Sequence, residues 1–516
     1  MKICFFLQRR WVLIGHSLAF HLKKSFPDTE FCAVVQMRPS LEFLQKQEDI
    51  PYTSFLMEED VHKKLFEEKI DHNYLSWLEE EYGIPNLWPY VYVDRIIMST
   101  QLVREYPHDK ALLSHEEMIK RIQVTAKAII EFLDRERPDV LVISVIGSVS
   151  SLLLYHIAKK RGIKTINVEL TRIHNRIAYS EDYRTFTGAK KCFDEIEGGR
   201  KSHEAADARK FIDAFRKKPS PYHQQALPTY NNQVAKIASV QFLHPRKLAW
   251  SVYWHGKTFL NDLRKRKNKD YTDVFVWWII WDKAKRKTRS LIGYSDLYCP
   301  VDHNERFAFY PLHFDPETAT MLYAPRYTDQ IHLIKQIARS LPLDMKLYVK
   351  EHAAMVGYRK RSYYKEIRRI PNVKLISPHI NGHELVQSAR LITTISGTGG
   401  WEGVLLKKPV ITFGDVFYND LPGVKRCRSF EDLPFLVKEQ LGEWKHNEEQ
   451  LVNYVSALLE ESVPVDYIDL WIKAESIEKV IDNEGIKKLA DALAEKIGLN
   501  NKSDESRLSA TYAQAE

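Results

Sequence analysis

The chain has 516 residues, 44% of them hydrophobic, and a formal net charge of +8. Because a single hydrophobic core stops growing beyond roughly 250 to 300 residues, this length argues against one domain and predicts two. The five cysteines form no CxxC pair and no histidine cluster stands near them at zinc spacing, which disfavours a zinc site and favours a reducing cytoplasm.

The N-terminal region alternates predicted strands with predicted helices. Strands are expected at Ile3–Leu7 and Glu30–Gln36, and a helix opens between them at Gly15–Ser25. After a polar, aromatic-rich helical region at about 55–135, a strand, a helix and a strand follow at Asp139–Val145, Ser148–Arg161 and Lys164–Glu169. This alternation predicts a Rossmann-like first domain over residues 1–185.

Residues 186–300 lose this alternation and are predicted to form a helical connector or insert that is basic and rich in tryptophan. In residues 301–440 the alternation of predicted strands and helices returns and is clearest. The predicted strands are Phe307–Leu312, Lys346–Lys350, Val373–Ser377, Leu391–Ile395 and Pro409–Phe413. The predicted helices are Thr328–Ser340, Tyr358–Arg369, Gly382–Ala389 and Trp401–Leu406. This pattern predicts a parallel, doubly wound second domain, followed by helices at 441–499 and a disordered tail at 500–516.

Ligands of an open α/β sheet bind beyond the carboxyl ends of its strands, so the loops of the second domain are the candidate site. The glycine-rich loop Ser396–Gly403 allows close approach to the N-terminus of the helix that follows it. Its N–H groups and hydroxyls would bind a phosphate, and a carboxylate one turn into the helix would bind a ribose. The candidate residues are Ser396, Gly397, Thr398, Gly399 and Glu402. A tight turn with a capping carboxylate is the alternative of equal weight.

Two further loops are expected at the same edge of the sheet. Lys350, Glu351 and His352 end one strand, and the cation and the imidazole are candidates to bind the same phosphate from the other side. A structural, hydrogen-bonded histidine is the alternative for His352. His313 lies in the loop Pro311–Glu317 after the first strand of the domain, which is expected to face an interdomain cleft.

Several motifs of this domain occur together in one known family. They are Tyr310–Phe314, Lys350–His352, Tyr358–Arg359, Ser362–Lys365, Ser396–Glu402, Lys407–Val410, Phe417–Tyr418 and Leu421–Gly423. With them, residues at about 305–425 resemble the capsule polysaccharide biosynthesis family, and Gly162–Ala178 does so more weakly. That family includes GT-B transferases related to those that add Kdo from its CMP-activated form. Ala353 follows the histidine where those Kdo enzymes have proline, so the donor sugar stays open.

The resemblance implies a GT-B-like fold of two Rossmann-like domains that face a cleft. It further implies a nucleotide-sugar donor in the C-terminal domain, an acceptor in the N-terminal domain and no metal. No cofactor is expected, because the nucleotide sugar is a substrate. The positions that match the donor-binding motifs of the family are His352, Ser396, Thr398 and Glu402. Among these, His352 is the candidate to stabilise the leaving phosphate.

The first domain contributes candidates for the acceptor side. His16 is placed in the loop between the first strand and its helix, where an imidazole with an ordinary pKa near 6.5 would deprotonate an acceptor hydroxyl. A histidine bonded to backbone at a helix start is the alternative. Glu169, Arg172 and Arg176 also resemble the family, and the arginines would hold an anionic acceptor or the donor phosphate. A solvated surface pair is the alternative for them.

The window Gln233–Ile292 holds 14 lysines and arginines against 4 acidic residues, so the basicity of the chain is local. Its candidate membrane residues are Arg264, Lys265, Arg266, Lys267, Trp277, Trp278 and Trp281. Such side chains suit an anionic membrane surface, whereas a structural insert is the alternative. Nucleic acid is not expected, because its recognised binding motifs are missing. No apolar run reaches the roughly 18 residues of a membrane span, so we expect a cytoplasmic protein, soluble or peripheral on the inner face of the inner membrane.

The activity predicted from the sequence is transfer of a sugar from a nucleotide-activated donor to a growing capsular or surface polysaccharide, or to its lipid-linked acceptor. Two enzymatic alternatives stay open: a CDP-polyol phosphotransferase of the teichoic-acid type and a UDP-sugar 2-epimerase. A third is a non-catalytic component of capsule assembly or export. Binding of a nucleotide sugar separates the enzymes from this last alternative.

Overall fold

The computed structural model describes residues 1–82, 86–99, 111–173, 175–220, 245–264, 276–302, 304–466, 470 and 476–500. The chain divides into two compact units. Unit 1 consists of Met1–Val91, Ser114–Glu204 and Tyr454–Glu516, and unit 2 consists of Tyr92–Leu113 and Ala205–Asn453. Apart from Asn500, the predicted disordered tail lies outside the described residues.

In its described part, unit 1 is built on a seven-stranded sheet. Its strands are β1 (Lys2–Leu7), β2 (Glu30–Val35), β3 (Tyr52–Met57), β4 (Val140–Ile143), β5 (Lys164–Leu170), β6 (Arg176–Ser180) and β13 (Ser462–Pro464). The spatial order is β13-β6-β5-β4-β1-β2-β3, with β1 to β5 parallel and β6 antiparallel to both of its neighbours. The first five strands therefore follow the 3-2-1-4-5 order of Rossmann folds.

In its described part, unit 2 is built on a six-stranded, fully parallel sheet. Its strands are β7 (Phe307–Pro311), β8 (Lys346–Lys350), β9 (Val373–Ile376), β10 (Leu391–Thr394), β11 (Val410–Thr412) and β12 (Val424–Arg426). The spatial order β12-β11-β10-β7-β8-β9 is the complete 3-2-1-4-5-6 order, read from β9. The order of the strands reverses between β7 and β10, and ligands of such sheets bind at this switch point.

Helices connect the strands in both units. Before residue 205 they are α1 (Trp11–Ser25), α2 (Arg38–Leu44), α3 (Glu58–Lys63), α4 (His72–Tyr82), α5 (Trp88–Tyr92), α6 (Arg95–Ser99), α7 (His115–Glu136), α8 (Val149–Lys160) and α9 (Thr187–Glu197). The next are α10 (Ala205–Lys217), α11 (Pro245–Arg264), α12 (Val276–Ile292), α13 (Thr318–Met321), α14 (Gln330–Ser340), α15 (Arg361–Arg368), α16 (Gly382–Ser388) and α17 (Thr398–Leu405). The last are α18 (Leu433–Gly442), α19 (Glu448–Glu460), α20 (Ile477–Ile481) and α21 (Glu484–Ile497). Single 3-10 turns lie at Lys64–Phe66, Ser295–Leu297, Pro325–Tyr327, Ala353–Met355 and Phe417–Asp420.

The predicted class, two Rossmann-like α/β domains, is confirmed by these two sheets. All five strands predicted in the second domain are present, because fully buried parallel strands read as continuous apolar runs. The missed strands are β3, β6, β12 and β13. All of these except β6 are edge strands, which bury less apolar surface. The region predicted as helical from about residue 55 therefore begins inside a strand, β3, whose residues are mostly half-buried.

Most of the segment predicted as C-terminal helices at 441–499 belongs to unit 1. Val465, Leu470 and the apolar side of α21 belong to the same buried cluster as β1, β2 and α1. Unit 1 also continues past the predicted boundary at residue 185, to Glu204, and resumes at Tyr454. Its core is therefore assembled from segments that are distant in the sequence, which local patterns do not reveal.

Candidate functional site

The candidate site lies at the switch point of unit 2, where the loops after β7 and β10 meet. His313 follows β7 and joins the two loops. Its Nε2 accepts a hydrogen bond from the Ser396 N–H at 3.3 Å and lies 3.2 Å from the hydroxyl oxygen of Thr394. The expectation that these loops converge at one edge of the sheet is met.

His313 itself is held inside the protein and is 7% exposed. Its N–H donates to Gln330 Oε1 at 2.8 Å, and its carbonyl accepts from Arg359 Nη2 at 2.7 Å. Burial, with smaller contributions from the charges of His352 and Arg359, lowers the pKa of His313 to about 3. The imidazole is therefore neutral and fixes the loops, and the predicted contact between His313 and the donor is corrected to this supporting role.

Gly397 precedes α17 as its N-cap residue and provides no side-chain cap. A Cβ atom at this position would lie 2.9 Å from His313 Nε2, so only glycine lets the loop close on the imidazole. The Gly397 N–H donates to Thr394 Oγ1 at 3.2 Å. Among the described residues, no partner is seen for the N–H groups of Thr398 and Gly399 or for the Thr398 hydroxyl. The helix start thus presents hydrogen-bond donors to an anion.

Ser396 was predicted to bind phosphate through its hydroxyl, but that hydroxyl donates to the carbonyl of Ala319 at 2.6 Å. Phosphate oxygens accept hydrogen bonds, so a hydroxyl whose proton is already used does not serve them. Ser396 therefore ties the loop after β10 to α13. The prediction is corrected for its side chain, while its N–H remains bound to His313.

Glu351 follows β8 and is fully buried, with 0% exposure. Its carboxylate accepts from Arg359 Nη1 at 2.6 and 2.8 Å, from the Tyr364 hydroxyl at 2.7 Å and from the His352 N–H at 2.6 Å. These bonds occupy both oxygens, so the predicted donor contact of Glu351 is wrong. Breaking a buried pair of this kind leaves an uncompensated charge and costs about 3 to 5 kcal/mol, which identifies Glu351 as a structural anchor of the loop.

His352 and Lys350 remain at the edge of the sheet. His352 caps the turn Ala353–Met355, where its Nδ1 accepts from the Ala354 N–H at 3.2 Å. In the neutral ring the proton is then on Nε2, as a donor to a ligand requires. Burial lowers the pKa of the half-buried Lys350, against the opposing charges of Glu351 and Glu402. Lys350 has no ion-pair partner within the described part of the chain.

Glu402 lies in the second turn of α17, and its side chain is 16% exposed. Its Oε2 is 3.2 Å from Nε2 of His383 on α16, in a geometry that is not aligned for a hydrogen bond. The carboxylate therefore stays a candidate for a ribose diol, and this role stays a prediction.

The site also depends on residues that sequence reasoning missed. Thr394, Gln330, Arg359 and Tyr418 are buried or nearly buried polar residues that hold the loops. The Tyr418 hydroxyl, for example, donates to the carbonyl of Gly397 at 2.6 Å. A polar residue that interrupts an apolar run, as Thr394 does at the end of β10, is the signal that could have found them.

In unit 1, His16 does not lie in a loop. Helix α1 begins at Trp11, so His16 is in its second turn, 0% exposed, with Nδ1 at 3.2 Å from the Tyr52 hydroxyl. Burial lowers the pKa of His16 to about 4. A Cβ at Gly15 would lie 2.4 Å from Leu7 Cδ2, so this glycine serves close packing of α1 on β1. The predicted loop placement is wrong, and with it the access of His16 to an acceptor.

The other acceptor-side candidates separate into two groups. Arg176 donates to the carbonyl of Leu459, in the last turn of α19, at 2.8 Å and to that of Ser462, just after the helix, at 2.6 Å. It is therefore a structural tie and not an acceptor contact. Glu169 is half-buried at the end of β5, and no hydrogen bond or ion pair to a described residue is seen for its side chain. Burial raises the pKa of Glu169 to about 7, opposed by Arg172, which occupies a left-handed turn at φ +64°.

The basic, Trp-rich window forms α11 and α12 in its described part. Trp277 and Trp281 are each 59% exposed. Lys265, Arg266 and Lys267, and the side chains of Arg264 and Trp278, lie outside what the structure describes. None of the described helices combines the length and the apolar character needed to cross a membrane.

Sequence comparison matches the region that contains this site to a known family. Residues 302–435 match the capsule polysaccharide biosynthesis protein family. The match confirms the resemblance drawn from the motifs, and it contains all the loops of the unit 2 site. Protein FixF of Sinorhizobium fredii is 33% identical over 125 residues, which are 24% of this chain and 30% of FixF, so the chain spans less than a third of that relative.

Two solved structures are similar at low sequence identity. The KpsC beta Kdo 2,7 transferase of Thermosulfurimonas dismutans has 11% identity, and the similarity covers 69% of this chain and 87% of that chain with a TM-score of 0.38. The UDP-GlcNAc 2-epimerase of Methanocaldococcus jannaschii has 13% identity, with 89% and 98% covered and a TM-score of 0.25.

Proposed function

We propose that this protein is a metal-independent glycosyltransferase of the GT-B type, which moves a sugar from a nucleotide-activated donor to a growing capsular or other surface polysaccharide. The observation that carries the proposal is the uncapped N-terminus of α17, at the switch point of a domain that matches the capsule polysaccharide family. Thr398, Gly399 and Lys350 supply the donors and the positive charge that a pyrophosphate or phosphate requires.

In the proposed reaction, an acceptor hydroxyl attacks the anomeric carbon of the donor sugar. The bond from that carbon to the phosphate oxygen breaks, and the nucleotide leaves with the electron pair. The N–H groups of Thr398 and Gly399 and the His352 imidazole stabilise the negative charge on the leaving oxygen. The acceptor proton goes to a base, and no redox step or cofactor is needed.

Glu169 is our candidate for that base, in place of His16. A carboxylate that lacks a described partner and has a pKa of about 7 is deprotonated in half of the molecules at neutral pH and is a stronger base than an ordinary glutamate. Its position at the carboxyl end of β5 supports this role, because that is the ligand-binding edge of a parallel sheet. Arg172 beside it is the candidate to hold an anionic acceptor.

We also propose that α11 and α12 bring the enzyme to an anionic membrane surface, where a lipid-linked acceptor would be found. Exposed aromatic side chains at Trp250, Trp277 and Trp281, among many lysines and arginines, support this. The test is flotation with neutral and anionic vesicles, for wild type and for a variant with Arg264, Lys265, Arg266 and Lys267 changed to glutamate. Equal flotation of the two proteins would refute lipid docking by this cluster.

The donor is tested by a screen of CMP-, CDP-, UDP- and GDP-linked compounds for thermal stabilisation, because a bound ligand raises stability by RT ln(1 + [L]/Kd). Glu402→Ala is expected to weaken binding of the compound that stabilises the wild type, without lowering the melting temperature of the ligand-free protein. Stabilisation by CDP-polyols alone would favour polyol phosphate transfer, and conversion of a UDP-sugar without acceptor would favour a 2-epimerase. No stabilisation by any compound would favour a non-catalytic capsule component.

A further inference from the structure

Helix α12 contacts Tyr358 in the segment that follows β8, and the main chain of Arg286 lies close to the preceding residue, Gly357. Arg286 on α12 donates from Nη1 to the Tyr358 hydroxyl at 3.0 Å, and its guanidinium lies 4.5 Å from the centre of the tyrosine ring. One turn further along α12, Arg289 donates to the main-chain carbonyl of Tyr358. Ring, hydroxyl and carbonyl of one residue are therefore engaged by two arginines.

Arg286 is itself held in place by a buried carboxylate. Asp282, one turn before Arg286 on α12, is 2% exposed and lies 2.7 Å from Arg286 Nε in an ion pair. Burial raises the pKa of Asp282, while Arg286 opposes that shift. A guanidinium that lies between a buried carboxylate and an aromatic ring has few alternative rotamers.

From Tyr358 the contacts lead directly to the candidate site. The Tyr358 ring packs on Phe314 with centroids 6.2 Å apart, and Phe314 packs on His352 with centroids 6.1 Å apart. The next residue in the chain, Arg359, holds the carbonyl of His313 and the carboxylate of Glu351. One aromatic residue, Phe314, thus separates Tyr358 from the imidazole that is proposed to bind the leaving group.

We infer that Tyr358 and Arg286 are positioning residues for His352, through which α12, a helix outside the α/β sheet, fixes the geometry of the donor loop. The inference rests on the proposed function, because it assigns the purpose of the clamp to donor turnover. The clamp does not itself contact the reacting atoms. It restricts the loop Glu351–Arg359 so that the imidazole stays where charge develops on the leaving phosphate.

The test compares Arg286→Ala and Tyr358→Phe with a matched control, Arg361→Ala. Arg361 has a similar exposure and also bonds the chain just after α12, at the Gly293 carbonyl and Asp296, but does not contact Tyr358 in the bonds described. We expect each clamp variant to lower kcat about 10-fold with little change in donor KM, since small misplacements of catalytic groups are costly. The double variant should be no slower than either single one.

Hydrogen exchange of peptides covering 351–359 gives a readout that needs no donor. Faster exchange in the clamp variants, with unchanged exchange in Arg361→Ala, is the expected result. Faster exchange with wild-type kcat and KM would overturn the positioning role, as would an equal loss of kcat in Arg361→Ala. If wild-type protein turns over no donor at all, the proposed function fails, whereas unchanged exchange in the clamp variants shows separately that the clamp does not order the loop.

Discussion

The two units contain the same strand order, yet the helices that follow their fourth strands begin differently. In unit 1, α8 follows β4 and is closed by its own side chains: Ser148 Oγ accepts from the Ser151 N–H, and Ser151 Oγ accepts from the N–H groups of Ser148 and Gly147. In unit 2, α17 follows β10 and begins at Gly397 without a side-chain cap.

This difference teaches where an anion can bind. A capped helix has already satisfied part of its four free N–H groups, whereas an uncapped one at a buried edge needs a ligand or water to do so. Gly397 and Thr398 leave N–H groups at the start of α17 without a side-chain cap, which lowers the stability of the ligand-free protein. A bound phosphate would accept from these groups and restore that stability. The uncapped start of α17 therefore supports the proposal that unit 2 binds the donor.

The largest expected effect is on turnover in unit 2. His352→Ala removes the proposed hydrogen-bond donor to the leaving phosphate and is expected to lower kcat about 100- to 1000-fold, or about 2.7 to 4 kcal/mol. The measurement is steady-state kinetics at saturating donor. The control is His379→Ala, which removes an exposed histidine after the neighbouring strand β9 and should leave kcat unchanged. Wild-type kcat in His352→Ala would make this histidine purely structural.

A second prediction concerns a negative charge placed at the uncapped N-terminus of α17. Thr398→Asp places a carboxylate at the start of α17, which stabilises the helix by about 0.3 to 1 kcal/mol but repels the donor phosphate. We expect donor affinity to fall at least about 10-fold while the melting temperature rises or stays the same. Thr398→Asn, which has the same shape without the charge, is the control. If calorimetry gives both variants wild-type affinity, the anion does not bind at this helix.

In unit 1, the pH dependence of kcat/KM tests the role proposed for Glu169. Because the pKa of Glu169 is raised to about 7 from 4.5, kcat/KM should increase as pH rises through about 7 if the carboxylate is the base. Glu169→Gln should abolish this increase of kcat/KM with pH, together with most of the activity. A wild-type profile that is flat between pH 6 and 8 would remove Glu169 from the role of base.

The same residue gives a stability prediction that needs no substrate. The folded state binds more protons than the unfolded state between pH 4.5 and about 7, so stability falls as pH rises across that window. Glu169→Gln removes this loss and should stabilise unit 1 by about 1 to 2 kcal/mol at pH 8, a value reduced for partial exposure. Denaturant unfolding at pH 5 and pH 8 measures it, and an equal effect at both pH values would contradict the raised pKa.

The smallest effect is expected at the capped helix of unit 1. Ser148→Ala removes the cap of α8 and should cost about 1 kcal/mol of stability. Because α8 is not the proposed anion site, donor affinity measured by calorimetry should not change. A clear loss of donor affinity would mean that the capped helix also serves the donor.

The second-domain strands and the loop positions could be predicted from the sequence, because buried parallel strands and glycine-rich helix starts leave local signals. The hydrogen-bond and ion-pair partners of the residues inside the site could not be predicted in this way. His313 and Ser396 are 83 residues apart, and nothing near either residue indicates that the imidazole accepts from that N–H. Glu351 was predicted as a donor contact because its counterion, Arg359, lies beyond a turn and no local pattern pairs the two residues. His16 was misplaced because its helix begins four residues before Gly15, at Trp11, without a recognisable capping residue.

Unit 1 is begun first on the ribosome but cannot be completed first. Its core needs Val465 and α21, and these emerge only after all of Ala205–Asn453 has been made. At about 5 to 20 residues per second, this takes on the order of 10 to 50 s. During that time the side of α1 that α21 covers is open to chaperones, while unit 2, which is nearly continuous in sequence, can fold. Chains that stop before Val465 would therefore carry a complete unit 2 and an incomplete unit 1.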